Sequence, residues 1–347
     1  MKIGMTYDLK TEYVFKSSDP RDANAEFDHP DTIQIIQESI EAMGHSVVRL
    51  GSADQLVRML DHLDVDLVFN IAEGQAGRNR EAQVPVLLEM KGIPFTGSDG
   101  LTQALTLDKV MTKKILTAEG IPTPRFFEIS RAGQELPEDL VFPLIVKPRF
   151  EGSSKGLTEK SVVRSADELE TQAAWVIQTY HQPALVEEFI RGNEFTLAVI
   201  GNDPPQAAPA VRIQIDGKDE LGDLFYTFSR IVSGAKYVIP ARIESDLELK
   251  LQELAVRTYR AVDCLDFGRV DIRVDSKGNP FVLEINPLPS LSTEDVFGIL
   301  AQHEGITYGA MIARLIKTAI RRHGLTPLDP SKLSKVQSSH GLEGLTG

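Results

Sequence analysis

The sequence has a single cysteine, no long apolar run and no surplus of basic residues. Cys264 alone cannot form an internal disulfide or a cysteine-rich metal site. The apolar runs, such as residues 67–69, fall far short of the roughly 20 residues that span a membrane. The 37 Lys and Arg residues against 50 Asp and Glu residues give a net charge of −13. Such a chain is poorly suited to nucleic acid, whose phosphates are held by Lys and Arg.

The start of the sequence also lacks the apolar core of a secretory signal, because residues 1–4 lead directly into a strand pattern. We therefore expect a soluble, cytoplasmic protein that binds neither membranes nor nucleic acid. Its 347 residues are enough for about two or three domains.

The first 97 residues alternate between strand and helix patterns. Short apolar runs at 2–7 and 65–71 predict strands, and the apolar spacing at 31–43 and 82–90 predicts helices. This βαβα alternation predicts an α/β domain over 1–97, with a small parallel sheet covered by helices.

Beyond residue 97 the pattern predicts an α+β organisation. Helices and strands alternate less regularly over 98–187, which we assign to a second domain, and a third domain follows over 188–325. Within the third domain, residues 216–236 lack periodicity, and loops of that length are usually functional or disordered. Residues 326–347 also lack periodicity, and we expect a flexible tail there.

The stretch 268–287 carries the most informative pattern. Apolar residues alternate with Arg269 and Asp271 on one predicted strand and with Glu284 and Asn286 on the next. A four-residue loop of Ser, Lys, Gly and Asn joins the strands, which is a common hairpin connection. In the resulting register Asp271 lies opposite Glu284, and Arg269 lies opposite Asn286.

The same register pairs Asp275 with Pro280 and sends Phe281, Leu283 and Ile285 to the opposite, buried face of the hairpin. Burial then fixes the register, because a slip by one residue would move all of these side chains to the wrong face. The prediction therefore depends on an unbroken alternation along both strands.

Two carboxylates directly opposite each other destabilise a strand pair unless a cation lies between them. A hard divalent cation, Mg²⁺ or Mn²⁺, suits the oxygens of Asp271, Glu284 and Asn286, above all where phosphates complete the coordination. Alternatively, this strand face is solvated, and Arg269 and Arg273 neutralise the acids. The hairpin alone leaves both interpretations open.

Two lysines and a loop of small residues indicate phosphate binding. Lys147 ends a predicted strand, and the loop 151–156 (EGSSKG) follows, where small residues let backbone N–H groups approach phosphate oxygens. Lys109 begins a helix after Asp108, a favourable N-cap, so a nearby anion would offset a lysine at the positive end of the helix dipole. A plain turn and a surface lysine are the alternatives. Neither a Walker A loop nor a dinucleotide fingerprint is present.

Seven stretches follow one another along the chain: 94–98 (PFTGS), 107–113 (LDKVMTK), 145–148 (IVKP), 151–156 (EGSSKG), 186–190 (VEEFI) with Glu194, 268–271 (GRVD) and 283–286 (LEIN). Each alone is a weak signal, but the ordered set is highly specific. It covers residues from about 1 to 325 and resembles the ATP-grasp fold, specifically the D-alanine–D-alanine ligase family.

This resemblance implies an ATP-dependent carboxylate–amine ligase, in which a carboxylate attacks the γ-phosphate and an amine then displaces phosphate from the acyl phosphate. The implied cofactors are ATP and two Mg²⁺ ions, with Mn²⁺ as an alternative. The implied partners are small amino-acid-like substrates, and a homodimer is expected because family members are commonly dimers. D-Alanyl-D-alanine is the default product. The alternatives are a ligase of a specialised pathway that joins other amino acids, and a nucleotide-binding protein without ligation.

The resemblance also implies roles for individual residues. Arg269 would face the negative charge that develops during acyl transfer, residues 216–236 would form a lid, 187–190 would line the adenine pocket and Glu194 would bind the ribose. The implied nucleotide-binding residues are Lys109, Lys147, Gly152, Ser153, Ser154, Gly156, Glu187, Glu188, Phe189, Ile190 and Glu194. The implied metal ligands are Asp271, Glu284 and Asn286, and the implied catalytic residues are Arg269, Lys147, Ser153 and Ser154.

The residues that the family uses for its amino-acid substrates differ in this chain. The family's N-terminal Gly-Gly-x-Ser-x-Glu stretch is missing, and a polar segment is inserted at 17–29. The family's His-Gly-x-x-Gly-Glu-Asp-Gly stretch reads EGQAGRNR here, so that Glu73 replaces a cationic residue and Arg78 replaces an acid. Such reversals change which charge a pocket accepts.

Two further departures fall near the expected second-substrate site. The family's Lys-Tyr pair of the covering loop is absent, and Arg230 lies near that place in the sequence. The position of the family serine that is expected to bind a carboxylate falls near Asp295, an acid that would prefer an amine. The candidate substrate contacts are Glu73, Arg78, Arg80, Arg230, Ser290 and Asp295. The alternative for each is a surface ion pair.

Overall fold

The computed structural model describes residues 1–131, 133–227 and 234–326. Arg230 and the predicted tail beyond Thr326 therefore lie outside the described residues. No helix among those described is both long and apolar enough to cross a membrane. Helices combine with one parallel and two antiparallel sheets, which confirms the predicted class.

The N-terminal part forms the predicted small parallel sheet, which has three strands in the order β2-β1-β3. Its elements are β1 (Lys2–Tyr7), α1 (Pro30–Ala42), β2 (Ser46–Gly51), α2 (Ala53–Met59), β3 (Leu67–Ile71) and α3 (Gln83–Lys91). The sequence pattern did not predict β2, because it is a partly exposed edge strand without a continuous apolar run.

The central part forms a four-stranded antiparallel sheet in the order β4-β7-β5-β6. Its elements are α4 (Gly100–Leu107), α5 (Lys109–Ala118), β4 (Phe126–Ile129), β5 (Leu144–Pro148), β6 (Val162–Val163), α6 (Ala166–Tyr180) and β7 (Ala184–Glu188). Asp108 caps α5, because its side chain accepts a hydrogen bond from the Met111 backbone N–H at 3.2 Å. This cap places Lys109 in the first turn of α5.

The C-terminal part forms an antiparallel sheet along the path β11-β10-β8-β12-β13, with β9 paired to β8. Its elements are β8 (Gly192–Ile200), β9 (Gln206–Ala207), β10 (Val211–Ile215), β11 (Ala235–Val238), α7 (Ser245–Ala261), β12 (Phe267–Asp275), β13 (Pro280–Asn286), α8 (Val296–His303) and α9 (Tyr308–Arg322). Residues 235 and 236 of the predicted loop belong to β11, because they pair with β10.

The hairpin of β12 and β13 has the predicted pairing where the acids lie. Asp271 lies opposite Glu284, and Arg269 lies opposite Asn286. On its other side β12 pairs with β8, which places Thr196 beside Asp271. Polar side chains from three neighbouring strands therefore meet at one place on the sheet.

The predicted pairing nearer the turn is wrong. Pro280 lies opposite Val274 rather than Asp275, and a bulge farther along the pair takes up the one-residue difference. The bulge breaks the predicted alternation, so that Val282 is buried while Leu283 lines the cavity described below. The sequence pattern could not show this bulge, because the residues on both sides of it are apolar.

The last two helices return to the N-terminal sheet. One apolar cluster joins α1 and β3 to α8 and α9, with Ile36, Phe69 and Leu315 among its buried members. Asp266 adds a buried polar link, because Arg322 donates to both of its carboxylate oxygens, at 2.9 and 2.7 Å. The two ends of the described chain thus share a core, and the domain boundaries at 97 and 187 stay a prediction.

Candidate functional site

A cavity of about 650 Å³ lies among the three parts of the chain. The central and C-terminal parts supply the ends of β5 and β7 and the faces of β8, β12 and β13, and the N-terminal part supplies residues 24–29. The predicted nucleotide, metal and catalytic residues that line it are Lys109, Lys147, Gly152, Ser153, Ser154, Glu187, Glu188, Phe189, Ile190, Glu194, Arg269, Asp271, Glu284 and Asn286. Gly156 is the one member of those predicted sets outside this lining.

Two buried lysines bind Glu187. The Lys147 Nζ lies 2.6 Å from Glu187 Oε2, and the Lys113 Nζ contacts Glu187 Oε1. Burial alone would raise the pKa of Glu187, but the two ammonium groups outweigh it and lower the pKa. Burial lowers the pKa of Lys113 to about 8 despite the attraction of Glu187, whereas Glu187 and Glu284 outweigh burial and raise the pKa of Lys147.

Sequence reasoning missed Lys113. It lies four residues after Lys109 on α5 and therefore on the same face of the helix. Lysines on an amphipathic helix are mostly solvent-exposed, yet this one is 1% exposed. The available signal was its spacing from Lys109 within the stretch 107–113.

The hairpin acids are held by cations. Arg269 donates to both oxygens of Asp271, from Nε at 3.1 Å and from Nη2 at 2.9 Å, and Asn286 Nδ2 donates to Asp271 at 3.1 Å. Lys109 Nζ donates to Glu284 Oε2 at 2.7 Å. Burial would raise the pKa of Glu284, but Lys109 and other nearby cations outweigh it and lower the pKa to about 2. Glu284 is therefore a carboxylate at neutral pH.

This set of oxygens fits a divalent metal. Asp271, Glu284 and Asn286 present carboxylate and amide oxygens, which are the ligands that Mg²⁺ prefers. Beside them, the buried Thr196 hydroxyl has no hydrogen-bond partner in the described part of the chain. A buried polar atom without a partner is uncommon and is consistent with a group that binds there.

The loop 151–156 lies against the cavity. Some of its hydrogen-bond donors are bound to acidic side chains, and others have no partner among the described residues. The Gly152 N–H donates to Glu26 at 2.6 Å, and the Gly156 N–H donates to Asp22 at 2.9 Å. Ser153 and Ser154 take left-handed conformations, with φ of 47° and 55°. Neither their N–H groups nor their hydroxyls have a hydrogen-bond partner among the described residues. The N–H groups and hydroxyls of the serines thus remain available to a ligand in the cavity, whereas the N–H groups of the two glycines already donate to carboxylates.

Phe189 gives the cavity a flat apolar wall. Its ring packs edge to face against Phe225, with ring centroids 5.8 Å apart, and the Arg273 guanidinium lies 4.9 Å from its ring centroid. Arg273 also lies 3.7 Å from Glu194 and donates to the Leu224 carbonyl at 2.9 Å. One interpretation of the sequence required Arg273 to neutralise the hairpin acids, and the structure shows that it does not. It holds Glu194 and residues near 224 instead.

Three of the six candidate substrate contacts line the cavity. They are Glu73, Ser290 and Asp295. Arg78 is two-thirds exposed and pairs with Asp108 at 3.2 Å, and the buried Arg80 pairs with Glu26 at 2.7 Å. Neither arginine lines the cavity. Arg230 lies outside the described residues.

Asp295 and two tyrosines that sequence reasoning missed form one end of the cavity. The Asp295 carboxylate lies 3.9 Å from the Arg269 guanidinium. The Tyr226 and Tyr237 hydroxyls are 3.3 Å apart, and both residues line the cavity. Burial raises the pKa of both phenols, that of Tyr226 to about 12. The tyrosines are therefore neutral hydrogen-bonding groups beside a carboxylate.

Three carboxylates form an acidic cluster at the other end. Oxygens of Glu26, Glu73 and Glu81 lie within 4.8 Å of one another. Glu26 pairs with Arg80 and Lys155, and the positive charge of Arg80 also acts on Glu73 and Glu81. Burial nevertheless raises the pKa of Glu81 to about 7 and, together with the charge of Glu81, raises that of Glu73 well above its usual range. Negative charge therefore accumulates here as the pH rises.

Comparison with known proteins gives one consistent result. A family model described as D-ala D-ala ligase C-terminus matches residues 115–317. The D-alanine–D-alanine ligase of Pelotomaculum thermopropionicum is 30% identical over 304 residues, which cover 85% of this chain and 92% of that protein. The uncharacterized protein y4sG of Sinorhizobium fredii is 40% identical over 258 residues, which cover 74% of this chain and 75% of that protein.

Solved structures agree on the fold. The D-alanine–D-alanine ligase of Bacillus anthracis complexed with ATP superimposes with a TM-score of 0.70 at 23% identity. The match covers 93% of this chain and 98% of that one. This likeness confirms the predicted ATP-grasp architecture.

The raised pKa of Glu81 generates a prediction about stability. The pKa of about 7 in the folded protein lies above the ordinary 4.5. The free energy of unfolding therefore falls as the pH rises through that interval. We expect Glu81→Gln to raise the free energy of unfolding by about 1–3 kcal/mol at pH 8 and to leave it almost unchanged at pH 4.5. Urea unfolding at the two pH values measures this. Glu170→Gln, on the exposed face of α6, is the control, and an equal effect of Glu81→Gln at both pH values would contradict the prediction.

Proposed function

The chain belongs to the D-alanine–D-alanine ligase family and is an ATP-dependent ligase, and from this premise we propose that its cavity joins a carboxylate to an amine through an acyl phosphate. The observation that carries the proposal is the meeting of two hairpin acids with Lys109, Lys147 and Arg269 in one cavity. Such an arrangement suits phosphoryl transfer, where positioning and electrostatic stabilisation supply most of the catalysis.

The nucleotide end of the cavity supports ATP binding. The D-alanine–D-alanine ligase of Bacillus anthracis, whose fold this chain shares, is complexed with ATP. Lys109 and Lys147, which now hold carboxylates, would bind phosphate oxygens, and the unpartnered N–H groups of Ser153 and Ser154 would add donors. The Phe189 ring would pack against the adenine.

Asp271, Glu284 and Asn286 would hold Mg²⁺, and the ion would neutralise charge on the phosphate that is transferred. Until then Lys109 and Arg269 neutralise the two acids. Their preformed places on β12 and β13 mean that binding needs only a change of partners and no movement of the strands.

The proposed reaction has two steps. An oxygen of the first substrate's carboxylate bonds to the γ-phosphorus while the bond from that phosphorus to the β–γ bridging oxygen breaks, which releases ADP. The amine nitrogen of the second substrate then bonds to the acyl carbon, phosphate leaves with the former acyl oxygen, and the amine loses a proton to solvent. Arg269, which lies between Asp271 and Asp295, would stabilise the negative charge on the acyl oxygen in the second step.

The amino-acid end supports substrates other than two D-alanines. Asp295 falls near the place where the family has a serine for the second substrate's carboxylate, and its own carboxylate lies in the cavity beside Arg269. A free carboxylate on the amine substrate would meet this negative charge. We therefore propose an amine substrate without a carboxylate at that position.

A homodimer and a cytoplasmic location complete the proposal. Val86, Met90 and Leu101 are exposed apolar residues, and Val86 packs directly against Gly100 next to Leu101. An exposed apolar patch of this kind commonly marks an interface, and a two-fold axis would bring two copies of it together. The cytoplasmic location is supported by the need for ATP.

The metal assignment predicts the effect of Glu284→Gln. The amide lacks the charge that attracts Mg²⁺, so ATP-dependent phosphate release should fall at least ~100-fold while the circular-dichroism spectrum stays unchanged. Glu253→Gln, at an exposed acid on α7, is the control. Turnover of Glu284→Gln at a near-normal rate with unchanged Mg²⁺ dependence would refute the assignment.

The substrate proposal predicts a preference between two amines that differ only in a carboxylate. With a panel of amino acids as carboxylate donors, phosphate release should be about tenfold faster with D-alaninamide than with D-alanine as the amine. Asp295→Ser should abolish this preference. Equal use of the two amines by the unaltered enzyme would reject the role of Asp295, and no phosphate release with any pair would reject ligation itself.

The interface proposal predicts the effect of Met90→Glu. A charge in the middle of an apolar contact is desolvated without a partner, so the variant should sediment as a monomer at concentrations where the unaltered chain is a dimer. Val141→Glu, at an exposed apolar residue of the central part, should leave the dimer intact. A dimer that survives Met90→Glu places the interface elsewhere.

A further inference from the structure

Residues 10–28, which we call the N-terminal strap, include most of the segment inserted relative to the family. The backbone closes the strap at its base, because the Lys10 N–H donates to the Asp28 carbonyl at 3.0 Å and the Asp28 N–H donates to the Asp8 carbonyl at 2.9 Å. The strap is polar in sequence, but Asp22 and Phe27 are buried, and the Glu26 side chain is only 3% exposed. A surface loop with such anchors has a fixed place in the fold.

The strap binds the loop 151–156 at both ends. Glu26 accepts the Gly152 N–H at 2.6 Å and pairs with Lys155 at 3.2 Å. Asp22 accepts the Gly156 N–H at 2.9 Å and the Tyr180 hydroxyl at 2.9 Å. Hydrogen bonds to a buried carboxylate are stronger than those between neutral groups. The two carboxylates thus fix the first and the last glycine of the loop.

Arg80 connects the strap to the rest of the wall. Its Nη2 donates to both oxygens of Glu26, at 2.7 and 2.9 Å, and its Nη1 donates to the Phe150 carbonyl at 2.7 Å. Arg80 and Glu26 are 7% and 3% exposed at their side chains. A buried pair with this many hydrogen bonds resists rearrangement, because separating the partners would break several charge-assisted hydrogen bonds at once.

The strap leaves the middle of the loop open. Ser153 and Ser154 line the cavity, and their N–H groups and hydroxyls have no hydrogen-bond partner in the described ranges. Both serines have the left-handed backbone conformation, which is unfavourable for residues other than glycine. Such backbone strain persists only where the surrounding structure imposes it.

We propose that Asp22 and Glu26 are positioning residues that hold the loop 151–156 closed before a nucleotide arrives. The proposal rests on the proposed function, in which this loop binds ATP phosphates. A loop that is already ordered does not have to be ordered by the ligand, so less binding energy is lost when ATP enters. The strap therefore acts on ATP affinity and not on the chemical step.

Steady-state kinetics test the proposal. Glu26→Gln should raise KM for ATP about tenfold while kcat at saturating ATP changes little, which is the pattern expected when ground-state and transition-state binding weaken equally. Asp19→Asn is the matched control, because this strap carboxylate binds only Tyr13 and Lys16 within the strap. An unchanged KM would overturn the proposal. A lowered KM would also overturn it, because the strap would then compete with the nucleotide.

Limited proteolysis tests the same point without activity. Lys155 lies in the loop and is 8% exposed, so trypsin should not cut after it in the nucleotide-free, unaltered protein. Glu26→Gln should be cut there, and ATP with Mg²⁺ should restore protection. Rapid cutting of the unaltered protein and of Asp19→Asn without nucleotide would show that the strap does not hold the loop.

Asp22→Ala, which removes the contacts with Gly156 and Tyr180, replaces Glu26→Gln if the latter does not fold. The two readouts also separate this proposal from the proposed function. If no substrate pair releases phosphate, ligation fails, yet the tryptic cleavage after Lys155 without nucleotide still decides whether the strap holds the loop.

Discussion

Glu187 shares its buried carboxylate between two lysines, and the charge balance of the cavity depends on that arrangement. A buried carboxylate that loses all its cations is strongly destabilising. If Lys147 were its sole partner, a ligand could recruit Lys147 only at that cost. Because Lys113 also binds Glu187, the acid would keep a partner if Lys147 turned to a phosphate, as the proposed function requires. The arrangement is therefore compatible with binding of a polyanion.

The same principle extends to the hairpin. Lys109 is paired with Glu284, and Arg269 with Asp271, so each cation and each acid of the proposed reaction centre has a partner before ligands bind. In the proposed function, Asp271 and Glu284 would exchange these cations for a metal ion, and Lys109 would exchange its carboxylate for phosphate oxygens. One balanced arrangement would then replace another, which would keep the reorganisation small.

Much of this centre could be predicted from the sequence, and what could not has identifiable causes. The order of the stretches from Lys109 to Asn286 predicted the fold, and strand periodicity predicted that Asp271 faces Glu284, because that information is local. The bulge near Leu283 could not be predicted, since both registers satisfy the apolar pattern at the turn. The burial of Lys113 and the use of Arg80 by Glu26 depend on partners dozens of residues away, which periodicity does not report.

The two departures at the N-terminal end of the cavity are one physical change. In sequence they look independent, since one is an insertion at 17–29 and the other a run of altered charges at 73–80. In the structure, the insertion supplies Glu26 and the altered run supplies Arg80, and each is the other's buried counterion. Each also has a second partner in the loop 151–156, Lys155 for Glu26 and Glu151 for Arg80, so this loop completes the same buried network. The inserted segment and the altered run are therefore joined through the loop, and in the proposed function a change in either one changes how the phosphate-binding loop is anchored.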